Sequence, residues 1–475
     1  MASQGTFSDE PLSPAGRLFT DPKTDVIIHI IACGKDTIDI DFAKSVLESS
    51  VMVQHPRFCS LLVRDKDGLE HWRRTKIDID QHVIVFDKCL DKSGKFIEGT
   101  SQGFTDDGEE AVNQYVADLS VSSPLSADKP LWEIHLLMAH KCAVFRIHHA
   151  LGDGFSLMSM LMAGCGKVDE GDDRRDVIVH RVAPTKSVES KGRKRRDWCW
   201  LLCAISGFLK MIRYTLVFVV EFLLMNLFVC DKRTVISGGD GVELWPRKLA
   251  TAKFLLEDMK EVKKVIPNTT INDVLYAVIS SGLSRYLEHR TPNGVAMVNL
   301  RPNPGVQELS EVMKNNSEAR WGNKFGAILL PVYYHKAGND PLEWLKRAKV
   351  TVDRKKHSLE AYVTYRLRDL VMTLLGPKYP CLFYYKLLCN TTFTISNFMG
   401  PLEKITIAGY PVSSIKFNTS SLPQALSIYM LSYVGRVEMQ LLVAKDIIPD
   451  PEFLAKCFED ALLEMRMAAI GINTA

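Results

Sequence analysis

The chain has 475 residues, of which 46% are hydrophobic and 24% charged, and its formal net charge is +3. That is enough length for two lobes with substantial cores, and the composition fits a globular protein with some affinity for membranes. So small a net charge, with no platform of basic and aromatic residues, argues against nucleic acid as a partner.

Residues 1–24 are polar, carry Pro11 and Pro14, and lack the apolar centre of a signal peptide. Within 25–34, the run Val26-Ile27-Ile28-His29-Ile30-Ile31 reads as a buried strand. Residues 40–53 show helical apolar spacing, 59–63 and 82–86 read as strands, and 109–119 as a helix. Pro130-Leu131-Trp132-Glu133-Ile134 opens a strand that partners the apolar run 143–147. His148-His149-Ala150-Leu151-Gly152-Asp153-Gly154 follows, and 155–163 is again apolar at helical spacing. The two histidines therefore sit on a strand-to-helix turn. Gly152 and Gly154 are expected to give it backbone angles closed to other residues. His71, His82 and His135 are scattered and read as surface or core residues.

A first lobe, 1–166, ends there. Residues 167–197 are acidic, then basic (Lys191, Arg193, Lys194, Arg195, Arg196), which predicts a flexible linker whose basic end meets anionic lipid heads. Residues 198–230 are very apolar; as a helix they would reach about 50 Å, against about 30 Å of hydrocarbon in a bilayer. Lys210, Arg213 and Glu221 form one narrow polar stripe with Ser206, so a membrane-associated helix is expected, with a buried soluble helix as the competing reading. The second lobe, 231–475, has strands at 252–256, 295–300, 327–334, 392–396 and 425–433. A hairpin through Tyr433-Val434-Gly435-Arg436 leads from the last of these to 437–444. Helices are read at 270–287, capped by Thr270 or Asn272, at 341–356 and at 451–467. Eleven cysteines with no Cys-x-x-Cys pair predict free thiols in a reducing compartment, and no histidine cluster has zinc spacing.

Histidine is the side chain whose unperturbed pKa lies nearest neutrality, so His149 is suited to take and return a proton. Asp153 lies too close in a tight turn to reach across a substrate; pinning the loop suits it better. Two structural histidines beside a turn are the alternative reading.

His-His-x-x-x-Asp-Gly resembles the signature of the wax ester synthase/diacylglycerol acyltransferase family, within the coenzyme A-dependent acyltransferases. Further blocks agree in family order: Pro11-Leu12-Ser13-Pro14 with Arg17-Leu18-Phe19, Pro130-Leu131-Trp132-Glu133, Asn272-Asp273, Asn299-Leu300-Arg301-Pro302, Gly322-Asn323 with Gly326, and Ser396-Asn397 with Gly400-Pro401. The basic and then hydrophobic middle is similar to the plant branch. The resemblance implies mixed α/β sheets in two lobes with the active site in a channel between them. It implies transfer of a long-chain acyl group from acyl-coenzyme A to a fatty alcohol or diacylglycerol, with His149 as general base. His148 would shape or polarise the site, and Asp153 would hold the turn with Arg301 or Arg17 as its ion-pair partner. Gly154, Asn272, Ser396 and Asn397 would bind substrate. A cap role for Asn272 and turn roles for Ser396 and Asn397 compete with that.

No permanent cofactor and no metal are implied. No glycine-rich phosphate loop is evident, so surface lysines or arginines would meet the coenzyme A phosphates. Two other functions stay open. One is a soluble acyltransferase for phenolics or amines, whose Asp-Phe-Gly-Trp-Gly block is absent here. The other is a non-catalytic lipid-binding relative. A span at 198–230 would split the channel across a bilayer, so a re-entrant or interfacial helix is expected. Both lobes would then be cytoplasmic at the endoplasmic reticulum membrane, or at the plasma membrane.

Overall fold

The computed structural model describes residues 9–97, 106–167, 198–227, 234–287, 292–301, 309–313, 321–333 and 340–473. Most of the linker read at 167–197, and the last three residues of the apolar stretch 198–230, lie outside them.

Two sheets organise the chain. The first half supplies β1 (Ile27–Gly34), α1 (Ile40–Ser49), β2 (Val83–Phe86), α2 (Asp106–Ser122), β3 (Trp132–Leu137), β4 (Cys142–His148), α3 (Gly154–Ala163) and β5 (Cys165–Lys167). After α4 (Trp198–Leu227), the second half supplies β6 (Arg247–Leu255), α5 (Ile271–Leu287), β7 (Asn293–Asn299), β8 (Phe325–Pro331) and α6 (Pro341–Lys356). Next come α7 (Glu360–Leu375), α8 (Lys378–Cys389), β9 (Phe393–Met399), β10 (Ile405–Ile407), β11 (Tyr410–Thr419), β12 (Leu426–Tyr433), β13 (Arg436–Ala444) and α9 (Pro451–Asn473).

The first sheet has seven strands in the order β5-β10-β11-β1-β4-β3-β2, and the second has six in the order β6-β13-β12-β9-β7-β8. The expected cut between lobes, 1–166 against 231–475, is therefore crossed: β10 and β11 come from the second half but complete the first sheet. The reason is the free edge of β1. Its side chains from Ile27 to Cys33 are buried, so its outer backbone groups need a partner, and β11 supplies one from Val412 to Thr419. At the end of β12, Val434 and Gly435 take φ of 47° and 76°, the left-handed pair that a two-residue hairpin turn requires.

Two other expectations change, and a third feature bears on the membrane. Cys33 and Cys142 face each other across β1 and β4, with Cα atoms 4.2 Å apart, and are joined as a disulfide, so the cysteines are not all free. Gly152 and Gly154 do not have positive φ; they are glycine for lack of room, since a Cβ on Gly154 would lie 2.3 Å from the Phe398 ring.

The third is α4. It is a single helix, but no helix among the described residues is long and apolar enough to cross a membrane. Its charges interrupt every long apolar window. From Met211 onward, Tyr214, Thr215, Phe218, Val219, Phe222 and Met225 turn toward the body. There Thr215 Oγ1 accepts the Leu359 N–H (2.9 Å), Phe218 lies under Lys355 Nζ, and Asn390 donates to the Met225 carbonyl (2.7 Å). The opposite face, with Ile205, Phe208, Leu209, Ile212, Leu216, Val217, Val220 and Leu224, is exposed, as are Lys210, Arg213 and Glu221.

Candidate active site

Strand β4 and helix α3 present the motif turn to a cavity of about 530 Å³ between the sheets. His149, Asp153, Asn272, Ser396 and Asn397 all line it. So do apolar side chains from both halves, among them Phe155, Met158, Leu275, Ile279 and Phe398.

The His149 ring stacks on Phe19 at 4.0 Å between centroids, and its Nδ1 lies 3.0 Å from Asn323 Oδ1. The tautomer follows from the amide. Asn323 Nδ2 donates to the His149 carbonyl (2.9 Å), which turns Oδ1 toward the ring. An amide oxygen only accepts, so Nδ1 carries the hydrogen and Nε2 keeps its lone pair. Burial lowers the His149 pKa to about 4, so the ring is neutral at physiological pH. Nε2 has no protein partner among the described residues and belongs to a ring that lines the cavity.

Asp153 is the N-cap of α3 and accepts the Ser156 N–H at 3.0 Å. Its other oxygen accepts from Arg301 Nη1 (2.7 Å) and from the Lys324 N–H (2.9 Å). Arg301 leaves the end of β7, donates also to the Gly322 carbonyl (2.8 Å), and lies over the Phe155 ring at 4.5 Å. This buried pair ties the motif turn to the second sheet. Of the two arginines expected to serve Asp153, it is Arg301. Arg17 pairs with Glu70 instead, at 3.5 Å.

Two expected site residues are placed elsewhere. His148 is absent from the cavity lining: its Nε2 meets Asp25 at 3.0 Å and its Nδ1 accepts the Ala150 N–H at 3.1 Å. Alternate side chains of an extended backbone point to opposite faces, so two adjacent histidines at a strand end cannot both face one cavity. Gly154 also does not line it and instead leaves space for Phe398. Of the two candidate caps, Thr270 closes the start of α5, its N–H and hydroxyl both donating to Asp273 (2.7 and 2.8 Å). Asn272 is thereby left for the cavity rim, where its Oδ1 accepts from Asn397 (2.7 Å).

Phe19 and Asn323, which touch His149, and Tyr384, which lines the cavity, are site residues that the sequence does not single out. Asn323 stood in a recognised block, but nothing in its spacing told that it would orient His149. Among the described residues no group of three or more His, Cys, Asp or Glu side chains converges to hold a metal.

A family model for the wax ester synthase/diacylglycerol acyltransferase catalytic domain matches residues 108–275, and one for the WS/DGAT C-terminal domain matches 321–466. The chain is 34% identical to wax ester synthase/diacylglycerol acyltransferase 11 of Arabidopsis thaliana, over 98% of this chain and 96% of that one. It is 33% identical to number 2 of the same plant, over 98% and 97%. Among solved structures, a wax ester synthase/diacylglycerol acyltransferase from Marinobacter aquaeolei VT8 matches with a TM-score of 0.57 and 17% identity, covering 97% of this chain and 99% of that one. That likeness supports the two-lobed fold. Sequence similarity along almost the whole length goes further, and the chain belongs to the wax ester synthase/diacylglycerol acyltransferase family.

Proposed function

We propose that this protein transfers a long-chain acyl group from acyl-coenzyme A to a lipid hydroxyl, that of a fatty alcohol or of diacylglycerol. The observation that supports it best is His149: a neutral imidazole, held by Asn323 with Nε2 unengaged, on the wall of a largely apolar cavity. Nε2 takes the hydroxyl proton as the oxygen attacks the thioester carbonyl carbon. The tetrahedral adduct collapses to the ester, the carbon–sulfur bond breaks, and His149 returns the proton to the thiolate. No covalent enzyme intermediate is needed. General base catalysis is worth about 10²–10⁴-fold, so positioning of the two substrates supplies much of the remaining acceleration.

Asp153 and Arg301 act on the turn that carries His149, and His148 anchors the start of β1 through Asp25. Asn272, Ser396 and Asn397 form the polar side of the cavity, together with Lys356, which is 41% exposed. Coenzyme A, a polyanion, suits that side. The exposed apolar face of α4 lies in the membrane interface, with its charges at headgroup level, because burying charge in lipid is costly. Both lobes then stay on the cytoplasmic side of the endoplasmic reticulum membrane, where acyl-coenzyme A is available, and the Cys33–Cys142 bond is kept from cytosolic reductants by burial, at 2% and 0% exposure.

The test is ester formation by the full chain from long-chain acyl-coenzyme A with hexadecanol or diacylglycerol, and with a phenolic alcohol and an amine as non-lipid acceptors. Ester with a lipid acceptor is expected. Turnover confined to the non-lipid acceptors, or none with any, would remove the proposal.

A further inference from the structure

A second apolar cavity lies directly beneath α4. It measures about 240 Å³ and is lined by Phe222 and Leu223 of α4, Ala327 of β8, Leu367 and Val371 of α7, and Leu387 of α8. Of the side chains with polar atoms that line it, Thr364, Tyr365, Arg368 and Tyr384, Thr364 and Arg368 are already engaged. Thr364 Oγ1 donates to the Ala327 carbonyl (3.0 Å) and accepts the Ala327 N–H (3.2 Å). Arg368 donates to Asp369 (3.2 Å) and to the Phe325 carbonyl (3.4 Å), and lies over the Phe325 and Tyr365 rings at 5.1 and 5.0 Å. The remaining space is mostly apolar and suits hydrocarbon.

This cavity and the His149 cavity share a wall, because Phe325 and Tyr384 line both. The neighbours Leu18 and Phe19 divide between them: Leu18 lines the outer cavity and Phe19 the inner one. Phe19 stacks on His149 and meets Phe325 and Tyr384 at 6.2 and 6.3 Å between ring centroids. The shared wall carries these aromatic side chains together with strand β8, whose Gly326 and Ala327 line the outer cavity and Ile328 and Leu330 the inner one. An opening at this point requires rotation of the Phe325 and Tyr384 side chains. Exposed Leu370, Leu374, Leu375, Leu382 and Phe383 of α7 and α8 continue the apolar surface of α4 around the outside.

We propose that the cavity beneath α4 seats the hydrocarbon chain of the acyl acceptor, with Phe325 and Tyr384 as the gate through which its hydroxyl reaches His149. This rests on the acyltransferase reading above. A chain reaching the site from lipid meets apolar surface all the way. The donor's polyanionic coenzyme A is assigned to the polar rim at Asn272, Asn397 and Lys356, the last of which pairs with Asp273 at 2.9 Å. Val371, on the wall of the outer cavity and away from the motif turn, sets acceptor chain length.

The test is Val371→Trp in the full chain, assayed with one acyl-coenzyme A and either butanol or hexadecanol. Each methylene kept out of apolar surroundings loses a factor of about four, so excluding four of them lowers kcat/KM for hexadecanol by roughly two hundredfold. Butanol turnover is expected to change by less than about twofold on the same reasoning. Equal loss with both alcohols in a folded variant, or no loss with either, overturns the proposal. So does a dependence on donor length instead of alcohol length, since the cavity would then hold the acyl chain. Val371→Ala serves if the Trp variant does not fold, and it is expected to favour alcohols longer than hexadecanol. A photoreactive hexadecanol analogue reads binding without turnover. Labelling within residues 364–387, abolished by Val371→Trp, supports the seat; labelling only elsewhere overturns it. Labelling there without ester formation in the unaltered protein keeps the seat and removes the acyltransferase reading.

Discussion

Replacing Asp153 by Asn tests whether the motif aspartate holds the turn or acts on His149 directly. Three donors converge on its carboxylate: the Ser156 N–H on Oδ1, and Arg301 Nη1 with the Lys324 N–H on Oδ2. Asparagine keeps one oxygen and turns the other into a donor. One setting of the amide retains Arg301 and Lys324 but opposes the Ser156 N–H; the other retains the cap but sets an NH₂ against a guanidinium. In both, the charge facing Arg301 is gone, and the side chain of Arg301 is 0% exposed. Removing one partner of a buried pair costs about 3–5 kcal/mol. Loss of the α3 cap adds about 1 kcal/mol if the first setting is taken. Native stabilities are roughly 5–15 kcal/mol, so Asp153→Asn should unfold at clearly lower urea. Activity should decline with the loss of structure and recover toward the original value under conditions that restore folding. Intrinsic fluorescence is a suitable readout, because Trp321 donates to the Leu151 carbonyl (2.8 Å) within the turn. An unchanged urea midpoint together with a rate reduced by orders of magnitude would refute this reasoning and give Asp153 a direct electrostatic role.

Other predictions concern orientation, pH, the membrane and topology. Asn323→Ala should lower kcat by about a hundredfold through misaligned reacting atoms, with KM for the alcohol little changed. Asn323→Asp should restore much of the rate and move the acid limb of the pH profile upward, because a carboxylate favours the imidazolium; an unmoved limb would deny Asn323 its positioning role. In the unaltered enzyme that limb should lie near pH 4 rather than 6.5, since burial holds the His149 pKa at about 4. Stability carries the same sign. Burial lowers His29 and His55 to about 3 and His149 to about 4, so above about pH 6.5 these groups contribute no pH dependence. Below it the unfolded chain binds protons first, and stability is lost as pH falls toward 3; a urea midpoint constant over that window would contradict the burial. Leu216→Asp with Val220→Asp on the exposed face of α4 should weaken binding to anionic vesicles more than tenfold, at about 1.5–3 kcal/mol for each apolar side chain withdrawn. Of the Asn-x-Ser/Thr acceptors Asn268, Asn315, Asn390 and Asn418, Asn418 is buried and bonded to His29 and Gln440, whereas Asn268 is exposed. Cytoplasmic lobes predict no glycan at Asn268 in protein made on endoplasmic reticulum membranes, and glycan there would place the second lobe in the lumen.

Regular period and strong local motifs made much of the fold legible. The strand before the histidines, α3, α5, α6 and the β12–β13 hairpin fall within a few residues of their expected positions, because each has one clear apolar face or a turn that only certain residues accept. The helices α7 and α8 were missed. They expose Tyr362, Leu370, Leu374, Leu382 and Phe383, so their apolar residues do not mark a single buried face. The joining of β11 to β1 was hidden for another reason: it depends on which strand edge is left open, and no local pattern carries that. In the site, residue type pointed to His149 and to an arginine for Asp153, but choosing Arg301 over Arg17 needed the end of β7 to be located in space. The orienting of His149 by Asn323 joins residues far apart in sequence, and neither position alone suggests it.

Proton transfer by His149 is probed with His149→Gln. The amide keeps a side chain in the turn but holds no basic nitrogen. Ester formation from acyl-coenzyme A and hexadecanol should be measured against the unaltered enzyme at matched folded concentration, with the urea midpoint confirming that structure persists. kcat is expected to fall by about 10²–10⁴-fold, with a residual rate that no longer falls near pH 4. Turnover within a few-fold of the unaltered enzyme would contradict it and put the base elsewhere in the cavity.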